Sequence, residues 1–179
     1  MANSRSISFR SYVLALSAVI GGLGCAKPSE PVEAPTFRLT ATITEDNHCT
    51  VNVLGKTYSS IGQVRGDVPS QFIGTVPDKS YHGFGCWVKT ADGDGDLVVL
   101  FAGNHLGKPL DTGTYPPKLN ILDDTPLHTA AVNFRPSEFG GDKLRTKDTS
   151  TGNVRVEEVP GGGRRVIIDV DLVRWTTLF

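Results

Sequence analysis

The stretch from Tyr81 to Asn104, YHGFGCWVKTADGDGDLVVLFAGN, decides the fold. Successive residues of a strand point to opposite faces. Over Tyr81 to Thr90 this puts Phe84, Cys86 and Val88 on one face and Tyr81, Gly83, Gly85 and Trp87 on the other. Leu97 to Ala102 is apolar on both faces, the mark of a strand covered on both sides and central in its sheet. Between them, Ala91-Asp92-Gly93-Asp94-Gly95-Asp96 supplies the Asp-Gly dipeptides that accept the positive φ angles of hairpin turns. The expectation is a β-hairpin that turns within Ala91 to Asp96.

Working outward, the same alternation recurs. Phe37, Leu39, Ala41 and Ile43 alternate with Arg38, Thr40, Thr42 and Thr44, and Glu45-Asp46-Asn47 turns the chain. If Thr44 pairs with His48, Ile43 lies opposite Cys49, Ala41 opposite Val51 and Leu39 opposite Val53, so every apolar residue stays on one side. Gly55-Lys56 fits a two-residue turn with glycine first, and Thr57 to Ile61 returns as a third strand. Gly62 to Lys79 and Gly103 to Pro117 read as loops, and Phe139 to Lys147 favours neither period. Ala130, Val132 and Phe134 alternate as a short strand. The chain closes with a hairpin that pairs Val156 with Val166 around a Val159 to Gly163 loop, which sets Glu157 opposite Arg165 on the wet side. No segment beyond the N-terminal leader has a helical period. The pattern predicts an all-β domain over 37–179, an antiparallel β-sandwich or partly closed barrel of about eight to ten short strands.

Residues 1–24 do not belong to that domain. Arg5 and Arg10 make a positive leader, Tyr12 to Gly24 is a mostly apolar run, and small residues precede Cys25, which together describe a secretory signal peptide. The run is shorter than the about 20 residues a membrane-spanning helix needs. Residues 25–36 then read as a tether, with three prolines, two glutamates and little to bury in Ala26 to Pro35. Loss of Arg5 and Arg10 with the leader moves the formal charge from −1 to −3, which argues against nucleic acid as a partner.

Gly22-Leu23-Gly24-Cys25 resembles the lipobox of bacterial lipoproteins, whose cysteine becomes the lipid-modified first residue. By that resemblance Cys25 carries the lipid and palmitate and the membrane is the partner. Ala26 and Lys27 stand where an aspartate would signal inner-membrane retention, so the resemblance implies the outer membrane of a Gram-negative cell. A departure is that Gly22 and its neighbours lack the larger aliphatic residue usual there, which leaves cleavage by an ordinary signal peptidase open. With Cys25 assigned to the lipid, Cys49 and Cys86 are an even pair in an exported chain and read as a disulfide. It closes a loop of about 36 residues, for roughly 4 kcal/mol of stabilisation. The lipobox, the early cysteine strand, Gly113-Thr114-Tyr115-Pro116 and the closing Thr151 to Val156 strand together resemble a loose group of uncharacterised bacterial β-sandwich lipoproteins. That resemblance implies no activity. In size, disulfide and β content the chain is also similar to small periplasmic lysozyme-inhibitor lipoproteins, whose recognition motif it lacks.

The residues that bear chemistry are few. Asp92, Asp94 and Asp96 alternate as calcium ligands do, but Leu97 stands where the calcium loop needs glycine and Gly103 where it needs a bidentate glutamate. A solvated turn is the simpler reading. His48, His82, His105 and His128 sit in no metal-ligand spacing and beside no nucleophile motif. Tyr81, Trp87 and Tyr115 are candidates for an aromatic platform facing a sugar or a partner protein, set against burial of Trp87 in the core. Arg164, Arg165, Arg174, Lys143, Arg145 and Lys147 give a basic bias near the C-terminus that Glu157, Glu158, Asp169 and Asp171 offset, which describes a salt-laced solvated face. No cofactor motif is present. The expectation is a non-catalytic, membrane-anchored binding or structural protein of the cell envelope. Two other readings stand beside it: an inhibitor or carbohydrate-binding module, and a hydrolase using His82 or His105 with the Asp92 to Asp96 run.

Overall fold

Eleven strands follow one another along the chain: β1 (Thr36–Thr44), β2 (His48–Val53), β3 (Lys56–Ser60), β4 (Arg65–Ser70), β5 (Ser80–Lys89), β6 (Asp94–Gly103), β7 (Gly113–Tyr115), β8 (Thr129–Pro136), β9 (Lys143–Arg145), β10 (Gly152–Glu158) and β11 (Arg164–Trp175). A 3-10 turn over Ser137–Phe139 lies between β8 and β9. This computed structural model describes residues 34–44, 48–61, 65–70, 80–103, 109–121 and 126–176, with the backbone alone for 65–70 and 80. The signal peptide, Cys25, nearly all of the tether, the Glu45 to Asn47 turn and His105 lie outside the described residues.

The strands form one antiparallel sheet, ordered β1-β2-β3-β5-β6-β8-β9-β11, and β11 pairs back onto β1 to close an eight-stranded barrel. Closure depends on the length of β11. Its one edge takes β1 from Thr36↔Val173 to Thr44↔Arg165. Its other edge takes β10 along Arg164 to Val170 and then β9 along Val173 to Trp175. The seam is therefore double: β9 joins β8 to β11 at one end, while β7 and β10 fill it at the other. There Ala130 N–H donates to Pro116 O (3.1 Å) and Lys118 N–H to Ala130 O (2.8 Å), which ties the end of β7 to β8.

An eight-stranded barrel has an interior just wide enough for side chains to fill it, and here they do. Leu39, Ile43, Val51, Tyr58, Phe84, Leu97, Val99, Phe101, Tyr115, Phe134, Ile168 and Leu172 are all buried in one core. Phe101 meets Phe84 and Tyr115 edge-to-face at centroid separations of 5.8 and 5.0 Å. Cys49 and Cys86, each buried, form the expected disulfide inside this core, with Cα atoms 6.4 Å apart.

The registers read from alternation hold: Ile43↔Cys49 and Ala41↔Val51 in the first hairpin, Val156↔Val166 and Glu157↔Arg165 in the last. Five local expectations need correction. Gly62 to Lys79, read as a loop, holds β4, which pairs with β5, and Gly103 to Pro117, also read as a loop, holds the short β7, which pairs with β10. The turn expected at Gly55-Lys56 is at Leu54-Gly55, with Val53 opposite Lys56 and φ of 57° and 71° at the two turn residues. Such a turn needs positive φ twice, and Leu54 accepts it while its side chain packs on the core. The central turn is tighter than Ala91 to Asp96. Thr90 N–H donates to Gly93 O (2.7 Å), and β6 already begins at Asp94, opposite Lys89. Finally, β6 is central but not covered on both sides: Leu97, Val99 and Phe101 face the core, while Val98 and Leu100 are half-buried on the outer wall. The region from Phe139 to Lys147, ambiguous in sequence, supplies the 3-10 turn and β9.

Candidate functional site on the outer wall

Alternation that fills the interior also sets what the wall displays. Along β5 the inward residues are His82, Phe84, Cys86 and Val88, all buried, and the outward ones end in Trp87. Trp87 is 60% exposed, so it is not a core residue. Its outward neighbours on β5 are Gly85 and Gly83, which have no side chains to lie over the indole. The other two candidates for a platform are elsewhere: Tyr81 is buried, and Tyr115 sits in the core with its hydroxyl donating to Asp111 O (2.7 Å). The three aromatic residues do not form one surface.

Trp87 instead keeps company that sequence alone did not indicate. Asp96 lies opposite it on β6, and Arg135 lies opposite Asp96 on β8, so the three stand in a row across the wall. Directly opposed residues of this kind have Cβ atoms about 4.5–5.5 Å apart. Ile61, 55% exposed, flanks the indole and donates its N–H to Trp87 O (3.1 Å). Asp94 N–H donates to Ser137 Oγ (3.2 Å), fixing the 3-10 turn as the far rim. Lys56 Nζ, 2.5 Å from Glu138 Oε2, holds the same turn from β3. Together these residues line a groove of about 320 Å³, with Ile61 and Trp87 on one side, Asp94 and Asp96 on its floor, and Arg135 and Ser137 opposite.

Of the residues offered for hydrolysis, His82 is not brought to the Asp92 to Asp96 run. His82 is buried and lies opposite Phe101, whereas Asp94 lies opposite Lys89, seven residues further along β5 and about 23 Å away at strand spacing. Asp92 is exposed in the turn. Among the described residues no group of three or more His, Cys, Asp or Glu side chains is arranged to hold a metal ion.

No protein-family model, curated protein or solved structure matches this chain.

Beyond Arg135 the wall continues into a second cluster on β9, where Leu144 is in the core and Lys143 and Arg145 alternate with it, Lys143 half-buried and Arg145 buried. Lys143 is opposite Trp175, and Arg145 is opposite both Val173 and Asn133. The Arg145 guanidinium carbon lies 3.3 Å from the centroid of the Trp175 ring, a cation–π contact. Two basic residues of the C-terminal stretch are paired as the salt-laced reading expects, Arg165 with Glu157 and Arg174 with Asp142, and on the neighbouring strand β1 Arg38 pairs with Asp169 and Asp171. Among the described residues Arg145 is not so paired. Burial holds its guanidinium below the usual arginine range. The Lys143 ammonium is held down as well, by burial first and then by repulsion from Arg145 and Arg135.

Proposed function

We propose that the mature chain is an exported, lipid-anchored module of the cell envelope that holds a carbohydrate against Trp87 and performs no chemistry on it. Trp87 carries this reading. Leaving a large apolar side chain in water forgoes about 1.5–3 kcal/mol of burial, and this one is left out on a barrel whose interior is otherwise well filled. The residues around it match a sugar ring. An indole offers a flat apolar surface to the C–H face of the ring, while the Asp94 and Asp96 carboxylates accept from hydroxyl groups and Arg135 donates to them. A groove of about 320 Å³ is near the lower limit of small-molecule sites, the size for one or two sugar rings.

The anchor rests on the sequence: the apolar leader, the small residues before Cys25 and the proline-rich tether. Against a hydrolase built on His82 stands its separation from the aspartates, since a general base must come within hydrogen-bond reach of the group it serves.

Titration of the mature chain with N-acetylglucosamine oligomers and with hexose oligomers, followed by tryptophan fluorescence, tests the binding. A saturable change is expected that Trp87→Ala removes and Trp175→Phe keeps. If neither series gives saturation, the carbohydrate reading is wrong. Labelling with a radioactive fatty acid tests the anchor, with label expected on the wild type and lost in Cys25→Ala.

A further inference from the structure

We propose that the outer face of β9 is a binding site for a phosphate group, built from the guanidinium of Arg145 and the ammonium of Lys143 beside Trp175. The proposal stands apart from the Trp87 groove and does not depend on it.

Arg145 is the anomaly from which it starts. The residue is only 7% exposed, yet its buried Nε has no hydrogen-bond acceptor among the described residues. A buried charge is ordinarily paired, because its desolvation costs several kcal/mol. Trp175 offsets part of that cost, but the ring covers one face of the guanidinium and offers no acceptor to the N–H groups that lie in its plane. Neighbouring groups make the deficit larger: Lys143 adds a second cation on the same strand and Arg135 a third on the adjacent one. Asp142, the nearest acid in sequence, is engaged by Arg174, with Nη2 and Nε both 2.9 Å from one of its oxygens.

What this corner lacks is an oxyanion. A phosphate would accept from the Nη groups of Arg145 and from Lys143 together, in the charge-assisted hydrogen bonds that guanidinium groups favour. Such a group has two sources, a lipid headgroup or a soluble phosphate.

Phosphate binding is measured on the unlipidated mature chain as a rise in melting temperature and a change in Trp175 emission, in the Trp87→Phe background. Inorganic phosphate is titrated against sodium chloride of matched ionic strength. A saturable, phosphate-specific response is expected, weakened about tenfold or more by Lys143→Gln and by Arg145→Met. If phosphate does no more than chloride to the unmutated site, the proposal is overturned, whatever the variants do. A response that Lys143→Gln leaves unchanged also overturns it, and that variant, on a partly exposed side chain, does not depend on Arg145→Met folding. Flotation with phosphatidylglycerol and phosphatidylcholine vesicles separates the sources. Recruitment by the former that added phosphate competes away assigns the site to a headgroup, and phosphate binding without recruitment assigns it to a soluble ligand.

Discussion

Gly95 lies directly beneath the ring of Phe134: a Cβ at residue 95 would stand 2.6 Å from two of the ring carbons. Phe134 is fully buried and meets Tyr58 edge-to-face at 5.3 Å, so it has little room to yield. Gly95→Ala is therefore expected to destabilise the barrel by about 1–3 kcal/mol, the usual cost of overpacking a core. Urea denaturation of the two proteins measures it. A variant as stable as the wild type would mean that the Phe134 ring moves freely.

The last strand offers a paired comparison. Ile168 is 1% exposed and faces the core with Val166 and Val170, whereas Ile167 is half-buried on the wall. An aspartate at 168 buries an unpaired carboxylate at a cost of several kcal/mol, comparable with the whole stability of a domain. Ile168→Asp should leave no protease-resistant domain, and Ile167→Asp should leave most of it. Equal loss in the two would show the wall to be as dry as the core.

Reduction of the disulfide is expected to lower stability by roughly 4 kcal/mol, the chain-entropy value for a loop of this length. Thermal melts with and without reductant give the shift, and Cys49→Ala/Cys86→Ala should melt where the reduced protein does. Because both cysteines are buried, mild reductant should act only on chains that have opened.

Stability in acid should depend on Asp171. A hydrogen bond from the Thr151 hydroxyl, and then the Arg38 guanidinium at 3.1 Å, holds its carboxyl below the usual range. A carboxyl depressed in the folded state contributes stability that is present above its unfolded pKa, about 3.9, and is lost as pH falls through the lower folded value. Asp171→Asn should therefore be destabilising at neutral pH, with the difference from wild type closing as pH drops below about 4. A difference that stays constant from pH 7 to pH 2 would show that the carboxylate charge is not what counts.

Much of this fold was legible because alternation admits a single answer where one face must stay dry. Slipping Ile43 by one residue from Cys49, or Val156 from Val166, would turn a row of aliphatic side chains into water, and the registers follow. Turn positions were less legible, since they are set by the registers on either side more than by the residues within them. With Phe84, Cys86 and Val88 matched to Val99, Leu97 and Gly95, Asp94 and Asp96 are drawn into β6 despite their turn-like composition. Whether the sheet would close could not be read, because it depends on β11 meeting β1 across most of the chain. At the site, the signal was present and weak: Gly83 and Gly85 share a face with Trp87 and leave it uncovered. Nothing local distinguishes Arg145 from Arg174. Arg174 has Asp142 and Arg145 has no acid among the described residues, and only the folded wall decides which.

The pairing of β1 with β11 has a consequence for how the molecule comes into being. Thr36 and Val173 are neighbours in space and 137 positions apart in the chain, so the contact that completes the ring has a very high contact order. Contacts of that kind place barrels among the slower folders, on the order of milliseconds to seconds. Until residue 173 has emerged, β1 offers an unsatisfied edge to any strand it meets. The growing chain thus cannot complete the barrel piece by piece. The interval in which it is most exposed to wrong partners ends with the arrival of its last strand.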